Sequence, residues 1–333
     1  MKFLINGKTV DSKTGPYIIA EIGINHNGDF DKAMILVEAA AKAGASAVKF
    51  QTYQTAKLVS SDSEYIDLLR SFELLPEQYF KLFKHAQYNK IDAFSACFDE
   101  DSAEIWNSFN TPAFKVASGD ITHHRLLQKI AGFNKPLIIS TGASSMDDIR
   151  DALDCVEKVN PDLEIALMHC VSKYPTLPGE ANLECMKTLS VFGKPVGFSD
   201  HTEGLVVPLA AVARGALLIE KHFTLNKDDV GPDHKLSADP HDMSELVRLS
   251  RVIVSSAGDG VKALTEGEAT QTAIRRSITL SKSVVKGQII DENMLETTRP
   301  ATGVSSAKYL EIIGKKARND FEAGFRIRTV DVE

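Results

Sequence analysis

The stretches GFSDH (197–201) and LLIEKHF (217–223) are apolar runs of β type, and both close on histidine, His201 and His222. A strand leaving a core ordinarily ends in a turn of Gly, Asn, Asp or Ser. Alternate strand residues face the same side, so Ser199 shares a face with His201, and Glu220 with His222. Two neighbouring strands that each carry a histidine to one rim point to a site rather than to a turn.

The same kind of run recurs upstream: YIIAEIG (17–23), AVKFQ (47–51), DAFSACF (92–98), AFKVAS (113–118), PLIIST (136–141) and EIALMHC (164–170). With PVGFSD (195–200) and ALLIEKHF (216–223) they make eight. Helical spacing fills the gaps, as in DKAMILVEAAAKAG (31–44) with Gly44 as its stop, PEQYFKLFKHAQ (76–87) and SMDDIRDALDCVEKV (145–159). Eight β runs separated by helical or loop material predict a (β/α)8 TIM barrel of about 250 residues. A doubly wound open sheet competes, but no Gly-rich phosphate fingerprint follows the first strand.

Before the barrel, residues 2–10 read as a hairpin turning at Asn6-Gly7. After it the texture changes. The expected domains are a barrel with its hairpin over 1–255, a small polar linker over 256–274, and a compact β-rich unit over 275–333. Within that unit VKGQII and FEAGFRI look like two versions of one element, a turn glycine followed by a strand.

The bulk numbers bound the function. The chain has 333 residues, 43% hydrophobic and 25% charged, as a protein with a full core should. Its net charge of −7 argues against a nucleic-acid binder, so any field for an anionic substrate must be local. Four cysteines without a CxxC pair suggest neither a disulfide framework nor a thiolate zinc site and favour a reducing cytoplasm. The first ten residues are too polar for a signal peptide, and no run approaches the roughly 18 apolar residues of a membrane span.

Barrel active sites gather at the C-terminal ends of the strands. Sorted by parity, the polar residues there are Glu21, Lys49 with Gln51, Lys115 with Ser118 at the tip, Ser140 or Thr141, Ser199 with His201, and Glu220 with His222. Lysines and hydroxyls suit phosphate or carboxylate oxygens. Histidines on adjacent strands can share a metal ion, with water or substrate completing the sphere. Sulfur-poor surroundings favour Mn²⁺, Mg²⁺ or Co²⁺ over structural zinc. A lone lysine at a strand end often just pairs with a core glutamate. His85, His123, His124 and His241 read as ordinary satisfied histidines, and His169 is ambiguous.

Taken in order, IIAEIGINHNGD (18–29), AVKFQT (47–52), FKVASGD (114–120), IISTGAS (138–144), GFSDHTEG (197–204), IEKHFTL (219–225) and GPDH (231–234) resemble the sialic acid synthase family. VVKGQIIDENMLETTRP (284–300) resembles the antifreeze-like (SAF) domain that such enzymes carry. The resemblance spans nearly the whole chain. It implies an enzyme that condenses phosphoenolpyruvate with an N-acetylated amino sugar and water, giving a sialic-acid-type sugar acid and phosphate. It implies a metal on His201 and His222, with Mn²⁺ first in line. It implies phosphoenolpyruvate held by Lys49, Lys115, Ser118, Ser140 and Ser199, and the acceptor held by Glu21, Gln51, Tyr174 and Asp233. It further implies a domain-swapped homodimer in which Arg299 of one tail closes the other chain's site. Ser172 departs from the pattern, since many relatives place Asn there. The stretch 61–75 is expected to be a loop covering the substrate.

The acceptor stays open between N-acetylmannosamine and a 2,4-diacetamido-trideoxyhexose. Rivals are another phosphoenolpyruvate-dependent synthase acting on an aldose phosphate, and a non-catalytic carbohydrate-binding barrel. The tail and GPDH count against the first, and the retained lysines and histidines against the second. A metal-dependent hydrolase would want more carboxylate or histidine ligands at this rim.

Overall fold

The computed structural model describes residues 1–269 and 272–333, so Thr270 and Gln271 of the expected linker lie outside the described residues. The chain divides into two compact units, Met1–Gly258 and Asp259–Glu333.

The first unit opens with a hairpin, β1 (Lys2–Ile5) and β2 (Lys8–Asp11), whose turn residues Asn6 and Gly7 both take positive φ, as a two-residue hairpin turn requires. Eight parallel strands follow: β3 (Tyr17–Gly23), β4 (Ala47–Thr52), β5 (Asp92–Cys97), β6 (Phe114–Val116), β7 (Leu137–Ser140), β8 (Ile165–Cys170), β9 (Val196–Asp200) and β10 (Leu218–His222). They close into a barrel in chain order, with β10 pairing back onto β3, Leu218 beside Tyr17 and His222 beside Glu21.

The crossovers are helical. α1 (Phe30–Lys42) follows β3, and α2 (Thr55–Leu58), α3 (Ile66–Phe72) and α4 (Pro76–Tyr88) follow β4. Then come α5 (Glu100–Ser108), α6 (His124–Ala131), α7 (Met146–Glu157), α8 (Cys185–Leu189), α9 (Val206–Ala213) and α10 (Pro240–Ser256). Local chemistry sets their ends: Asp29 caps α1, the reciprocal Ser145/Asp148 pair caps α7, and Gly44 takes the left-handed turn that ends α1. The 61–75 stretch is not simply a loop, since it holds α3. Gly28 lets it dock: a Cβ there would lie 2.1 Å from the Ser71 carbonyl oxygen.

Two packing layers result. Outward strand residues such as Phe50, Val116, Phe198 and Ile219 meet the helices in the main core. Inward residues at the lower end form a second cluster, with Ile19, Ala47, Phe94, Ile138, Met168 and Leu218 packed on Phe3, Ile5 and Val10 of the hairpin. The hairpin therefore plugs the barrel floor. Asp92, at the start of β5, fastens it by accepting hydrogen bonds from Asn6 Nδ2 (2.6 Å), Lys8 Nζ (3.0 Å) and Tyr17 Oη (2.7 Å). Gly197 also faces inward, where a Cβ would meet Met168 Sδ at 2.5 Å and the Leu218 carbonyl oxygen at 2.6 Å.

The second unit has its own core of Ile278, Leu280, Val284, Ile290, Leu295, Val304, Ile312, Ala317, Ile327 and Val332. Among its described residues, regular pairing is confined to antiparallel β11 (Ser277–Leu280) and β12 (Leu295–Thr298), with single bridges elsewhere. The two similar segments share one local pattern, but a single bridged residue rather than the expected strand follows each turn glycine. Each has a turn glycine at positive φ, Gly287 or Gly324, and bridged residues on both flanks.

Candidate active site

Moving two residues toward the C-terminal end of most barrel strands changes the inward side chain from apolar to polar. Ile19 gives way to Glu21, Ala47 to Lys49, Ala113 to Lys115, Ile138 to Ser140, Met168 to Cys170 and Leu218 to Glu220. These upper residues line a cavity of about 340 Å³ together with Gln51, Ser118, Ser172, Tyr174, Ser199, His201, His222 and Asp233. Every barrel residue expected at the site is therefore in one cavity. Arg299 belongs to the second unit, where its carbonyl accepts a hydrogen bond from Arg326 at 3.3 Å. None of the described residues 61–75 lines the cavity. A wider cleft of about 770 Å³ between α7 and α8 adjoins it through Cys170 and Ser172 but contains no lysine or carboxylate.

Two lysines and two carboxylates make the electrostatic centre, all at most 4% exposed. Lys49 Nζ lies 2.8 Å from Glu21 Oε2 and 3.6 Å from Glu220 Oε1. Lys115 Nζ donates to Ser140 Oγ at 2.7 Å and lies 3.6 Å from the same Glu220 oxygen. Ser199 Oγ donates to Glu220 Oε1 at 3.1 Å, and Gln51 Nε2 to Glu21 Oε1 at 2.9 Å. Burial, with Glu220 close by, pushes the Glu21 carboxyl up to about 7 against the pull of Lys49. Burial works against the Glu220 charge too, but Lys115 and Lys49 outweigh it and lower that carboxyl. Burial lowers Lys115, whereas at Lys49 it is outweighed by Glu21 and Glu220, which raise the ammonium. Parity places Glu220 at the barrel mouth but gives it no role of its own. The signal was its place two residues before His222 on the same face.

Beside the lysines is a set of hydroxyls. Ser118 Oγ accepts the Gly142 N–H at 3.0 Å. A Cβ at Gly142 would lie 2.3 Å from Ser172 Oγ and 2.7 Å from Ser118 Oγ, so the bare glycine keeps the two hydroxyls side by side. Ser172, the departure noted above, thus faces this cradle. Cys170, its neighbour, is a lining residue that sequence reading did not single out.

His201 and His222 sit edge to face, their ring centroids 5.4 Å apart. His201 Nδ1 is 2.7 Å from the Val171 carbonyl oxygen; donation there leaves Nε2 as the free lone-pair nitrogen. His222 Nδ1 is buried and has no hydrogen-bond partner among the described residues, with Asp233 Oδ2 3.5 Å away. Burial, then the positive charge that His201 carries only when protonated, then the Lys49, Lys221 and Lys115 ammonium groups, hold the His222 imidazolium well below its usual range, so that ring is neutral. The Tyr174 ring lies 4.1 Å from His201, tilted by 30°, and 5.8 Å from His222 in an edge-to-face arrangement. No group of three or more His, Cys, Asp or Glu side chains suited to a metal occurs among the described residues. An orphaned, neutral imidazole beside a second one oriented by a carbonyl fits a labile divalent ion whose other positions go to water and substrate.

Three of the other histidines have structural partners. His169 makes a 2.8 Å hydrogen bond with the Ala181 carbonyl, His85 pairs with Glu38, and His123 caps α6.

A (β/α)8 barrel with buried lysines, carboxylates and paired histidines in a cavity at its C-terminal mouth has the build of a barrel enzyme. The chain belongs to the NeuB family, which matches residues 36–262, and residues 275–333 match the SAF domain. It is 39% identical to the N,N'-diacetyllegionaminic acid synthase of Legionella pneumophila, over 96% of each chain. It is 38% identical to the enzyme of the same name from Campylobacter jejuni, over 93% of this chain and 98% of that one. A crystal structure of the N-acetylneuraminic acid synthetase of Leptospira borgpetersenii, in complex with citrate, superposes with a TM-score of 0.77 at 31% identity, covering 81% of this chain and 95% of the other. No helix among the described residues is long and apolar enough to cross a membrane.

Proposed function

We propose that the chain condenses phosphoenolpyruvate with a 2,4-diacetamido-trideoxyhexose and water, giving an N,N'-diacetyllegionaminic-type sugar acid and inorganic phosphate. The observation that carries this reading is the single cavity in which Lys49, Lys115 and the serine hydroxyls adjoin the two histidines. The acceptor is argued from the two relatives named for that product.

Phosphoenolpyruvate brings up to three negative charges. Lys49 and Lys115, now balanced by Glu21 and Glu220, are cations already in place for its phosphate and carboxylate. Ser118, Ser140 and Ser199 add neutral donors, which orient the anion without adding charge. C3 of phosphoenolpyruvate forms a bond to the aldehyde carbon as the carbonyl π pair moves to its oxygen, water adds at C2, one water proton ends on that oxygen, and the C2–O bond breaks so that phosphate leaves with the electron pair and the other proton while C2 becomes the ketone. A divalent ion on His201 and His222, Mn²⁺ before Mg²⁺ or Co²⁺, would supply Lewis acidity at the aldehyde oxygen. Glu21, with its carboxyl poised near neutral pH, is suited to hold a sugar hydroxyl or move a proton there. Gln51, Tyr174 and Asp233 would hold the acceptor.

Phosphate release measured in parallel with 2,4-diacetamido-2,4,6-trideoxymannose, N-acetylmannosamine and aldose phosphates tests the assignment. The diacetamido sugar should give the highest kcat/KM. Preference for N-acetylmannosamine would move the product to N-acetylneuraminate, and release with none of them would overturn the reading.

We also propose that the chain acts as a domain-swapped homodimer in which Arg299 reaches the acceptor of the partner's barrel. Such an exchange would run through the segment between α10, which ends at Ser256, and β11, which begins at Ser277. Co-refolding inactive His201→Ala with inactive Arg299→Ala should then restore activity, because the mixed dimer pairs one intact barrel with one intact tail. Heterodimers that form without activity would rule out the exchange.

A further inference from the structure

Behind the two histidines, on the outer face of the same strands, is an ion pair for which the proposed chemistry has no use. Asp200 and Lys221 precede His201 and His222 and are register partners across β9 and β10. Their side chains are 0% and 1% exposed. Lys221 Nζ donates to Asp200 Oδ2 at 2.7 Å and to the Thr202 carbonyl at 2.8 Å. Asp200 Oδ1 accepts from the Thr202 N–H at 3.0 Å and from its hydroxyl at 2.8 Å. Thr202 is itself buried and bridges to Thr176.

The residues two before the pair on the same face, Phe198 and Ile219, belong to the apolar layer between barrel and helices. An apolar pair would fill that layer without the desolvation cost of two buried ions, so packing alone does not account for the charges. What the charges add is direction. Four hydrogen bonds tie the end of β9, the end of β10 and Thr202, the second residue of the loop just past His201, to one another. His201 and His222 leave the backbone at the adjoining positions, toward the cavity.

We propose that the Asp200–Lys221–Thr202 network is the positioning brace of the two-histidine centre, fixing the ends of β9 and β10 so that His201 and His222 can share one metal ion. This rests on the metal reading given above.

The test uses the full chain and Mn²⁺ itself. The double variant Asp200→Leu/Lys221→Met replaces the pair by apolar side chains, a change that is often neutral or stabilising. Its metal-free thermal unfolding should stay near wild type. Its Mn²⁺ affinity, read by electron paramagnetic resonance of the free ion, should fall about 10- to 100-fold, as when an outer partner of a metal ligand is removed. KM for phosphoenolpyruvate should hold while kcat drops. Thr202→Val, which removes a single hydroxyl bond, should weaken Mn²⁺ binding about 3- to 10-fold and serves if the double variant does not fold. Wild-type Mn²⁺ affinity in a folded double variant, or in Thr202→Val should the double fail to fold, overturns the brace alone. A wild-type chain that binds no Mn²⁺ overturns the metal reading and the brace together.

Discussion

Exhaustive EDTA treatment is expected to lower turnover by about three orders of magnitude, and added Mn²⁺ to restore it. The size follows from Lewis-acid stabilisation worth several kcal/mol, about 4, converted to a rate. The structural ground is the pair itself: His201 oriented by the Val171 carbonyl, and His222 neutral with an orphaned Nδ1. His201→Ala should reproduce the loss and should cost the fold only about 1 kcal/mol, since it gives up one hydrogen bond at the cavity rim. Full activity after complete chelation, confirmed by elemental analysis, would end the metal assignment.

Lys115→Ala is expected to weaken phosphoenolpyruvate roughly 30- to 150-fold while barely changing the affinity for the sugar. Losing a charge-assisted contact to an anion costs about 2–3 kcal/mol, which converts to that range. Lys115 is fully buried between Ser140 and Glu220, so its competing role is that of a structural counter-ion to Glu220. Titration calorimetry separates the two roles. A structural counter-ion would lower the melting temperature of the free protein and leave phosphoenolpyruvate affinity intact, and that result would remove Lys115 from the anion site.

Strand parity made most of the cavity legible before any coordinates. In several strands the inward face turns from apolar to polar at one step, as from Ile19 to Glu21 or Ile138 to Ser140, and a period of two is enough to find it. Parity puts Glu220 on the face of His222 but assigns it no role, because a carboxylate two residues before a histidine reads as a generic partner. Cys170 contributes one small side chain at the end of β8, with no spacing to mark it. The Asp200–Lys221 pair lies on the outer face, where parity predicts helix packing and says nothing of charge. α3 was hidden for another reason: its N-terminus at Tyr65 lacks a side-chain cap, and only Phe72 of its seven residues is buried. In the second unit single bridges do the work of strands, and they leave too short a pattern to read as periodicity.

The pairing of β10 with β3 sets a condition on how the chain is made. Leu218 lies beside Tyr17, and Ile219 beside Ile18, across about 200 residues of sequence. A ribosome adding about 5–20 residues per second would need about 10–40 s to span that distance. Throughout that interval the free edge of β3, rich in isoleucine and tyrosine, has no strand to receive its hydrogen bonds, and such an edge is a template for pairing with other chains. Closure over so long a loop also places the barrel among slow-folding topologies. The nascent chain should therefore be a client of holding chaperones until β10 emerges, and a truncation ending before Leu218 should aggregate where one ending after α10 stays dispersed.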